Sequence, residues 1–324
     1  MIITRTAFRI PLAGGGTDLD FYYKNKGGEL ITSTFNQFVF VLFAERPIDD
    51  KILIQTTTTQ FSNNIDKVKH EIIREVLKYF KIKKKVQIST FSTLPTSSGL
   101  GSSSALIVGL IKAISIFKKK KISKNKIARI AFHIERKILS YTGGWQDQII
   151  ASFGGLQQIK ISKKGNFNTR PIKIGKNIIK NLEKKFILVF TKELRNSSKV
   201  ISSQKVNLKK TIKVYDAIRS LVPIMKSSLK NGDYKRIGEI FHYHWKLKKQ
   251  LSKQISNSKI DKIYLNLIKD DSFIGGKLIG AGGGGFFLMV SNNLKKSILY
   301  LRKKKLNFTK FKFTFGGTQI ESSY

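Results

Sequence analysis

The segment Leu94-Pro-Thr-Ser-Ser-Gly-Leu-Gly-Ser-Ser-Ser-Ala105 runs directly into Leu106-Ile-Val-Gly-Leu-Ile111, so a glycine- and serine-rich loop opens onto an apolar helix. An apolar helix of this kind must be buried along its body, while its first turn stays at the loop. Gly99 and Gly101 let the main chain approach an anion with N–H groups alone, and the serines add donors. The positive end of the helix points at the same spot. The combination reads as a phosphate cradle. Loops of this composition also serve simply to turn the chain, so the reading needs support from elsewhere in the sequence.

Composition narrows the field. With 324 residues and 41% hydrophobic content, the chain is expected to bury sizeable cores in two domains or one large one. No apolar run approaches the roughly 18 residues of a membrane span, and the N-terminus enters a strand-like segment without signal-peptide features. A cytoplasmic enzyme with no membrane partner is therefore expected. The chain has no cysteine, which excludes disulfides, thiolate metal sites and cysteine nucleophiles. Its formal charge of +41, from 61 basic and 20 acidic residues, invites a polyanion such as RNA. The lysines, however, are scattered in runs such as 83–85, 118–121 and 303–305, with no RNA-binding aromatic motif beside them. They read as solvated faces that still attract small anions, and nucleic acid is not the expected partner.

Hydrophobic periodicity predicts mixed helix and strand. Strands are expected over 2–12, 35–43, 86–91, 185–190 and 286–290, with a further one near 51–56. Helices are expected over 67–80, 103–117, 123–139, 198–228, 232–252, 258–269 and 293–304. The alternation Phe311, Phe313, Phe315 adds a last strand. The lysine-rich stretch 160–184 reads as the boundary between a domain over 1–170 and another over 171–324. There is no internal repeat at solenoid periods.

Three further stretches stand in a telling order around the loop: Arg5-Thr-Ala-Phe-Arg-Ile-Pro-Leu-Ala-Gly-Gly-Gly-Thr-Asp18, Gly143-Gly-Trp-Gln-Asp-Gln148 and Gly275-Gly-Lys-Leu-Ile-Gly-Ala-Gly-Gly-Gly-Gly-Phe286. Together the four resemble the GHMP kinase superfamily, which includes galactokinase, homoserine kinase and mevalonate kinase. Within it the pattern is most similar to the bacterial D-glycero-D-manno-heptose 7-phosphate kinases. The resemblance implies an α+β fold of two domains, the first like the second domain of ribosomal protein S5 and the second ferredoxin-like. It also implies ATP, Mg²⁺ and a sugar or sugar phosphate as ligands.

Site residues follow from the resemblance position by position. Asp147, which by itself would be read as a loop aspartate capping a helix, matches the aspartate beside the accepting hydroxyl. Arg9 matches the basic residue held against it. Pro95, Ser98, Gly99, Leu100, Gly101, Ser102, Ser103 and Ser104 match the loop around the nucleotide phosphates. Glu135 matches a metal-binding glutamate, and Ser103, or alternatively Ser102, matches the hydroxyl beside it; magnesium takes few protein oxygens, so one carboxylate and one hydroxyl suffice. Asp18, with Gly16, Thr17 and Gly144, falls where sugar hydroxyls are gripped, and a carboxylate suits vicinal hydroxyls; a helix cap is the competing reading. Gly282, Gly283 and Gly284 are expected to support the phosphate loop.

The segment Thr191-Lys-Glu-Leu-Arg-Asn-Ser-Ser198 resembles a site for a second substrate phosphate, held by Arg195, Ser197 and Ser198, although Ser197 would equally cap a helix. The histidines suggest no metal site. His242 and His244 lie two apart on one helix and face different ways, and His70 and His133 are isolated. Three readings remain open at this level: a heptose 7-phosphate 1-kinase, a sibling acting on an unphosphorylated fucose- or galactose-type sugar, and a non-enzymatic RNA-binding protein.

Overall fold

Two long runs of β-branched and aromatic residues near the N-terminus pair as the strands β1 (Ile2–Ala13) and β2 (Gly28–Glu45), which flank the short helix α1 (Asp20–Lys26). The computed structural model describes residues 1–95, 99–193 and 197–323. From β2 the chain continues through β3 (Ile52–Gln55), β4 (Thr59–Ser62), α2 (Glu71–Tyr79) and β5 (Val86–Ser92). The helices α3 (Ser102–Phe117), α4 (Lys124–Phe132) and α5 (Gln146–Phe153) follow, then β6 (Leu156–Ile161) and β7 (Phe167–Pro171). Next come α6 (Lys176–Glu183), β8 (Phe186–Phe190), α7 (Ser197–Ser203), α8 (Leu208–Asn231), α9 (Tyr234–Lys249) and α10 (Ser258–Ile268). The chain ends with β9 (Phe273–Leu278), β10 (Phe286–Ser291), α11 (Leu294–Lys303), β11 (Phe308–Lys310), β12 (Phe313–Thr314) and β13 (Gln319–Ser323).

The larger sheet runs β13-β1-β2-β5-β3-β4, with β12 and β6 also pairing with β2, and β7 with β6. β2 is long enough to pair with several partners along its length: Glu45 to Val39 meet β5, while Ser33 to Gly28 meet β6. The smaller sheet, β11-β8-β10-β9, is antiparallel throughout. The last strands return to the larger sheet, β13 against β1 and β12 against β2, so the two sheets do not divide the chain at a single point. The stretch 160–184 carries the end of β6, all of β7 and α6.

α3 lies buried across β1 and β2, as its apolar body demands, and α8 and α9 pack together against β1 and β9 respectively. One continuous core joins both sheets. Phe311 sits at the join: 1% exposed, it stacks on Phe35 of β2 at 5.7 Å between ring centroids and meets Phe186 of β8 edge-on at 5.5 Å. Among the described residues no helix is long and apolar enough to cross a membrane.

Two expected helices differ in detail. The run 123–139 is α-helical to Phe132 and then winds as a π-helix over His133–Ile138. The wider turn, a feature often found at functional sites, brings both Ile134 and its neighbour Glu135 to the interior. The run 198–228 is broken into α7 and α8, because Asn207 caps a new start by accepting from the Lys210 N–H. Periodicity also missed α1, α5, α6 and most of the strands after residue 150, which are short or pair only through distant partners.

Replacing Phe311 with alanine should cost about 3–5 kcal/mol, the usual range for emptying a buried aromatic site. Chemical denaturation should show this as a lower midpoint, since the cavity opens where the two sheets share side chains.

Candidate active site

The loop after β5 is fastened from beneath by β1. The backbone N–H of Arg9 donates to the Leu100 carbonyl at 3.1 Å, and Arg9 Nη1 donates to the Gly99 carbonyl at 2.7 Å. The other two nitrogens of the same guanidinium form a bidentate fork on Asp147, Nε to Oδ1 at 2.7 Å and Nη2 to Oδ2 at 2.9 Å. Gly101, at φ +84°, begins α3 in the left-handed region; a Cβ there would lie 3.2 Å from Arg9 Cγ and 3.4 Å from the Asp147 carboxylate. Asp147 is not carried by a loop, as its neighbouring glycines suggest. It sits in the first turn of α5, where the helix dipole favours a negative charge.

Behind the loop, Glu135 is 1% exposed and accepts hydrogen bonds from Ser103 Oγ at 2.6 Å, Ser104 Oγ at 2.5 Å and Gln148 Nε2 at 2.5 Å. Among the described residues no three acidic or histidine side chains gather into a metal cage. Magnesium carried on a nucleotide needs no such cage, and Ser103 with Glu135 offers the hydroxyl and carboxylate that suit it. Both line a cavity of about 1190 Å³ together with Pro95, Gly99, Gly101, Ser102 and the exposed Phe91, ample for a nucleotide.

A second cavity lies on the other side of the Arg9–Asp147 fork. Gly15, Gly16, Asp18, Gly143, Gly144, Tyr215, Lys248 and Lys277 are among its walls. Asp18 Oδ2 accepts from the Gln146 N–H at 2.9 Å, and Oδ1 accepts from the Gly16 N–H at 3.2 Å. Asp18 thus caps α5 from a distant loop and also lines the cavity. Gly144 must be glycine, because a Cβ would fall 2.1 Å from Asp18 Oδ2; at Gly16 it would strike the Tyr215 ring at 2.3 Å. Burial pushes the Asp18 carboxyl above the ordinary range, the charge of Asp147 adds to this, and the Gln146 hydrogen bond opposes it.

Several expected positions fall elsewhere. Thr17 is fully buried with its hydroxyl donating to the Gly14 and Glu29 carbonyls, and it does not line the cavity. Leu100 and Ser104 are likewise sealed beneath the loop, so Ser104 serves Glu135 rather than the cavity. Gly283 N–H donates to the Ile255 carbonyl at 2.8 Å, a Cβ on Gly282 would lie 3.0 Å from Ile255 Cα, and a Cβ on Gly284 would lie 2.4 Å from the Glu193 carbonyl. Gly282 and Gly283 thus pack on the turn that ends at Ile255, and Gly284 on the turn after β8. Ser197 lines both cavities and Ser198 the larger one, whereas Ser98 and Arg195 lie outside the described residues.

Periodicity and spacing passed over Arg136, His244, Lys248 and Lys277, all on the walls of the second cavity. Lys277, inside the last glycine-rich stretch, donates from Nζ to the Leu12 carbonyl at 2.8 Å. Burial lowers its ammonium well below the usual lysine value, as does the nearby Arg9 charge, and His244 beside it is lowered in the same way. Their one signal was place: a lysine amid glycines, and an arginine directly after the candidate metal-binding glutamate.

Residues 67–155 match the model of the GHMP kinases N terminal domain. Over 335 aligned residues, covering 98% of this chain and 98% of the relative, the chain is 32% identical to the D-glycero-alpha-D-manno-heptose 7-phosphate kinase of Campylobacter jejuni. The chain belongs to the GHMP kinase family. This GHMP kinase is also 29% identical over 202 residues to a bifunctional fucokinase/GDP-fucose pyrophosphorylase of Arabidopsis thaliana, across 60% of this chain and 19% of that protein. Its fold, α+β as expected, superposes on a D-glycero-D-manno-heptose 1-phosphate kinase from Bacteroides thetaiotaomicron with a TM-score of 0.83, over 100% of both chains at 22% identity. It is a sugar kinase of the family, with ATP as the family's phosphate donor.

The raised Asp18 carboxyl sets a pH-dependent stability. Because the folded state holds this proton more tightly than the unfolded one, the contribution is present below the unfolded value and is lost as pH rises through the folded value. Asp18→Asn keeps one acceptor for the Gln146 N–H without a buried charge. Its thermal midpoint relative to the parent should be higher at pH 7 than at pH 4, while the KM for the sugar rises; melts at the two pH values and steady-state kinetics check both.

Proposed function

We propose that this GHMP kinase transfers the γ-phosphoryl group of ATP to the anomeric hydroxyl of a sugar phosphate, converting D-glycero-D-manno-heptose 7-phosphate to the 1,7-bisphosphate. The reading rests chiefly on the Arg9–Asp147 fork, which lines both cavities and so stands where a donor on one side would meet an acceptor on the other. ATP would lie in the larger cavity along Gly99, Gly101, Ser102 and Ser103, its phosphates facing backbone N–H groups and the start of α3. ATP dependence also favours a cytoplasmic setting.

The sugar would occupy the smaller cavity, with Asp18 accepting from its hydroxyls. Two observations favour a phosphorylated sugar. Arg136 and Lys248 add positive charge to that wall beside the paired Arg9 and Asp147, and the relative aligned over nearly its whole length is named for a heptose 7-phosphate. The distal phosphate would sit by Ser197, on the side of the segment that also carries Arg195.

In the reaction the anomeric oxygen attacks the γ-phosphorus, the bond to the β,γ-bridging oxygen breaks, and ADP leaves with that electron pair. Asp147 takes or orients the hydroxyl proton, held at one angle by the two bonds from Arg9. Ser103 and Glu135 would hold Mg²⁺, which when bound neutralises phosphate charge. The loop N–H groups would orient the donor.

Asp147→Asn should lower kcat by about 10² to 10⁴ while leaving ATP affinity within a few-fold, as loss of a general base does; near-normal turnover would remove Asp147 from this role. Substrate identity is tested by ATP consumption across heptose 7-phosphate, free heptose, fucose and galactose. A charge-assisted contact to the distal phosphate, worth about 1.5–3 kcal/mol, should favour heptose 7-phosphate over free heptose by roughly ten- to a hundred-fold in kcat/KM. Preference for an unphosphorylated sugar would instead support the sibling activity.

A further inference from the structure

Among the described residues, five line both cavities: Arg9, Arg136, Thr142, Asp147 and Ser197. A phosphoryl group passing from a donor in one cavity to an acceptor in the other must cross between them. Two guanidinium groups stand at that boundary, and their states differ. Arg9 is held at all three nitrogens, with Nε and Nη2 on Asp147 and Nη1 on the Gly99 carbonyl, all at 2.7–2.9 Å.

Arg136 is held far more loosely. Its Nε lies 3.4 Å from the Gly144 carbonyl, and its Nη1 lies 3.5 Å from the Tyr141 carbonyl and 3.4 Å from Glu135 Oε1. These separations exceed the 2.7–3.2 Å of a well-formed N–H···O bond. Nη2 makes no hydrogen bond among the described residues, yet the side chain is only 10% exposed. A guanidinium held this loosely on the wall of both cavities keeps donors available to an anion there.

The neighbouring glycine points the same way. A Cβ on Gly143 would fall 2.5 Å from Arg136 Nη2 and 2.6 Å from Cζ, so the guanidinium lies flat over that residue. Gly143 is not among the positive-φ glycines, so backbone geometry does not demand glycine there. What the missing side chain provides is room for the guanidinium between the two cavities.

We infer that Arg136 is a further catalytic residue, whose free Nη2 edge binds the non-bridging oxygens of the γ-phosphoryl group during transfer. The inference rests on the phosphoryl-transfer reading above but not on the identity of the sugar. As the sugar oxygen forms its new bond to phosphorus, the β,γ-bridging bond breaks toward ADP and the hydroxyl proton leaves by way of Asp147. Negative charge on the three oxygens of the moving group then faces a planar fork of donors in an enclosed site, where such contacts are strongest. Arg9 anchors the aspartate, and Arg136 grips the cargo.

The test uses Arg136→Gln and, independently, Gly143→Ala, which leaves the charge in place but pushes the guanidinium off its seat. Kinetics on whichever sugar the parent turns over are combined with calorimetry of ADP and of a non-hydrolysable ATP analogue. The expected result is a fall in kcat of about 10² to 10³ in Arg136→Gln, the range for losing one transition-state donor. Gly143→Ala should show a smaller loss in the same direction. Affinity for the analogue should drop about tenfold while that for ADP and the magnesium concentration for half-maximal rate stay unchanged. Equal weakening of ADP and analogue, a shifted magnesium requirement, or undiminished kcat in either variant would overturn the inference and leave Arg136 as a brace for the 139–144 loop. A parent enzyme that ignores heptose 7-phosphate but phosphorylates another sugar would sink the substrate assignment alone, because these variants are then read on that sugar.

Discussion

The fork between Arg9 and Asp147 ties together parts of the molecule that are far apart in sequence. Arg9 belongs to β1, where that strand pairs with β2 in the larger sheet, and Asp147 to the first turn of α5. The same side chain also holds the Gly99 carbonyl, so strand, loop and helix meet on one guanidinium with five donors in a fixed plane. A lysine could supply the charge but not these angles. The position of the carboxylate, of the loop before α3 and of the α3 N-terminus therefore follows from one rigid group rooted in a buried strand.

Around this fork the site is made by leaving side chains out. Gly144 admits the Asp18 carboxylate, Gly16 admits the Tyr215 ring and Gly143 admits the Arg136 guanidinium, each at distances that no Cβ would tolerate. The glycines of the 14–16 and 143–144 turns thus act less as flexible hinges than as gaps into which polar groups of other elements fit. Asp18 illustrates the consequence: it caps α5 from a turn 128 residues earlier and so fixes the helix that carries Asp147.

Burying charge for this purpose has a cost, visible in the groups the cavity encloses. Asp18 is pushed toward its neutral form, and Lys277 and His244 toward theirs, because the walls that exclude water also withhold its solvation. Glu135 is met differently. Three donors from Ser103, Ser104 and Gln148 surround it, and the π-turn that brings it inward is one the surrounding core keeps in place.

The sequence by itself determined the family and the chemistry-bearing stretches, because motifs in a set order survive where overall identity is low. It also determined the helices and strands with strong local periodicity, such as α3 and the apolar strands β8 and β10. Short elements escaped it: α5 is eight residues long, and β13 exists only because β1, more than 300 residues away, offers it an edge. Only the tertiary structure decided which motif residues reach a cavity. Thr17 and Ser104 are turned to structural tasks by contacts with Glu29 and Glu135, while Arg136, Lys248 and Lys277, in no spacing that marks them, are brought to the walls. The physical reason is range. Backbone preference and hydrophobic period act within a few residues, whereas the enclosure of a charge or the approach of two side chains depends on segments that meet only once the sheets have packed.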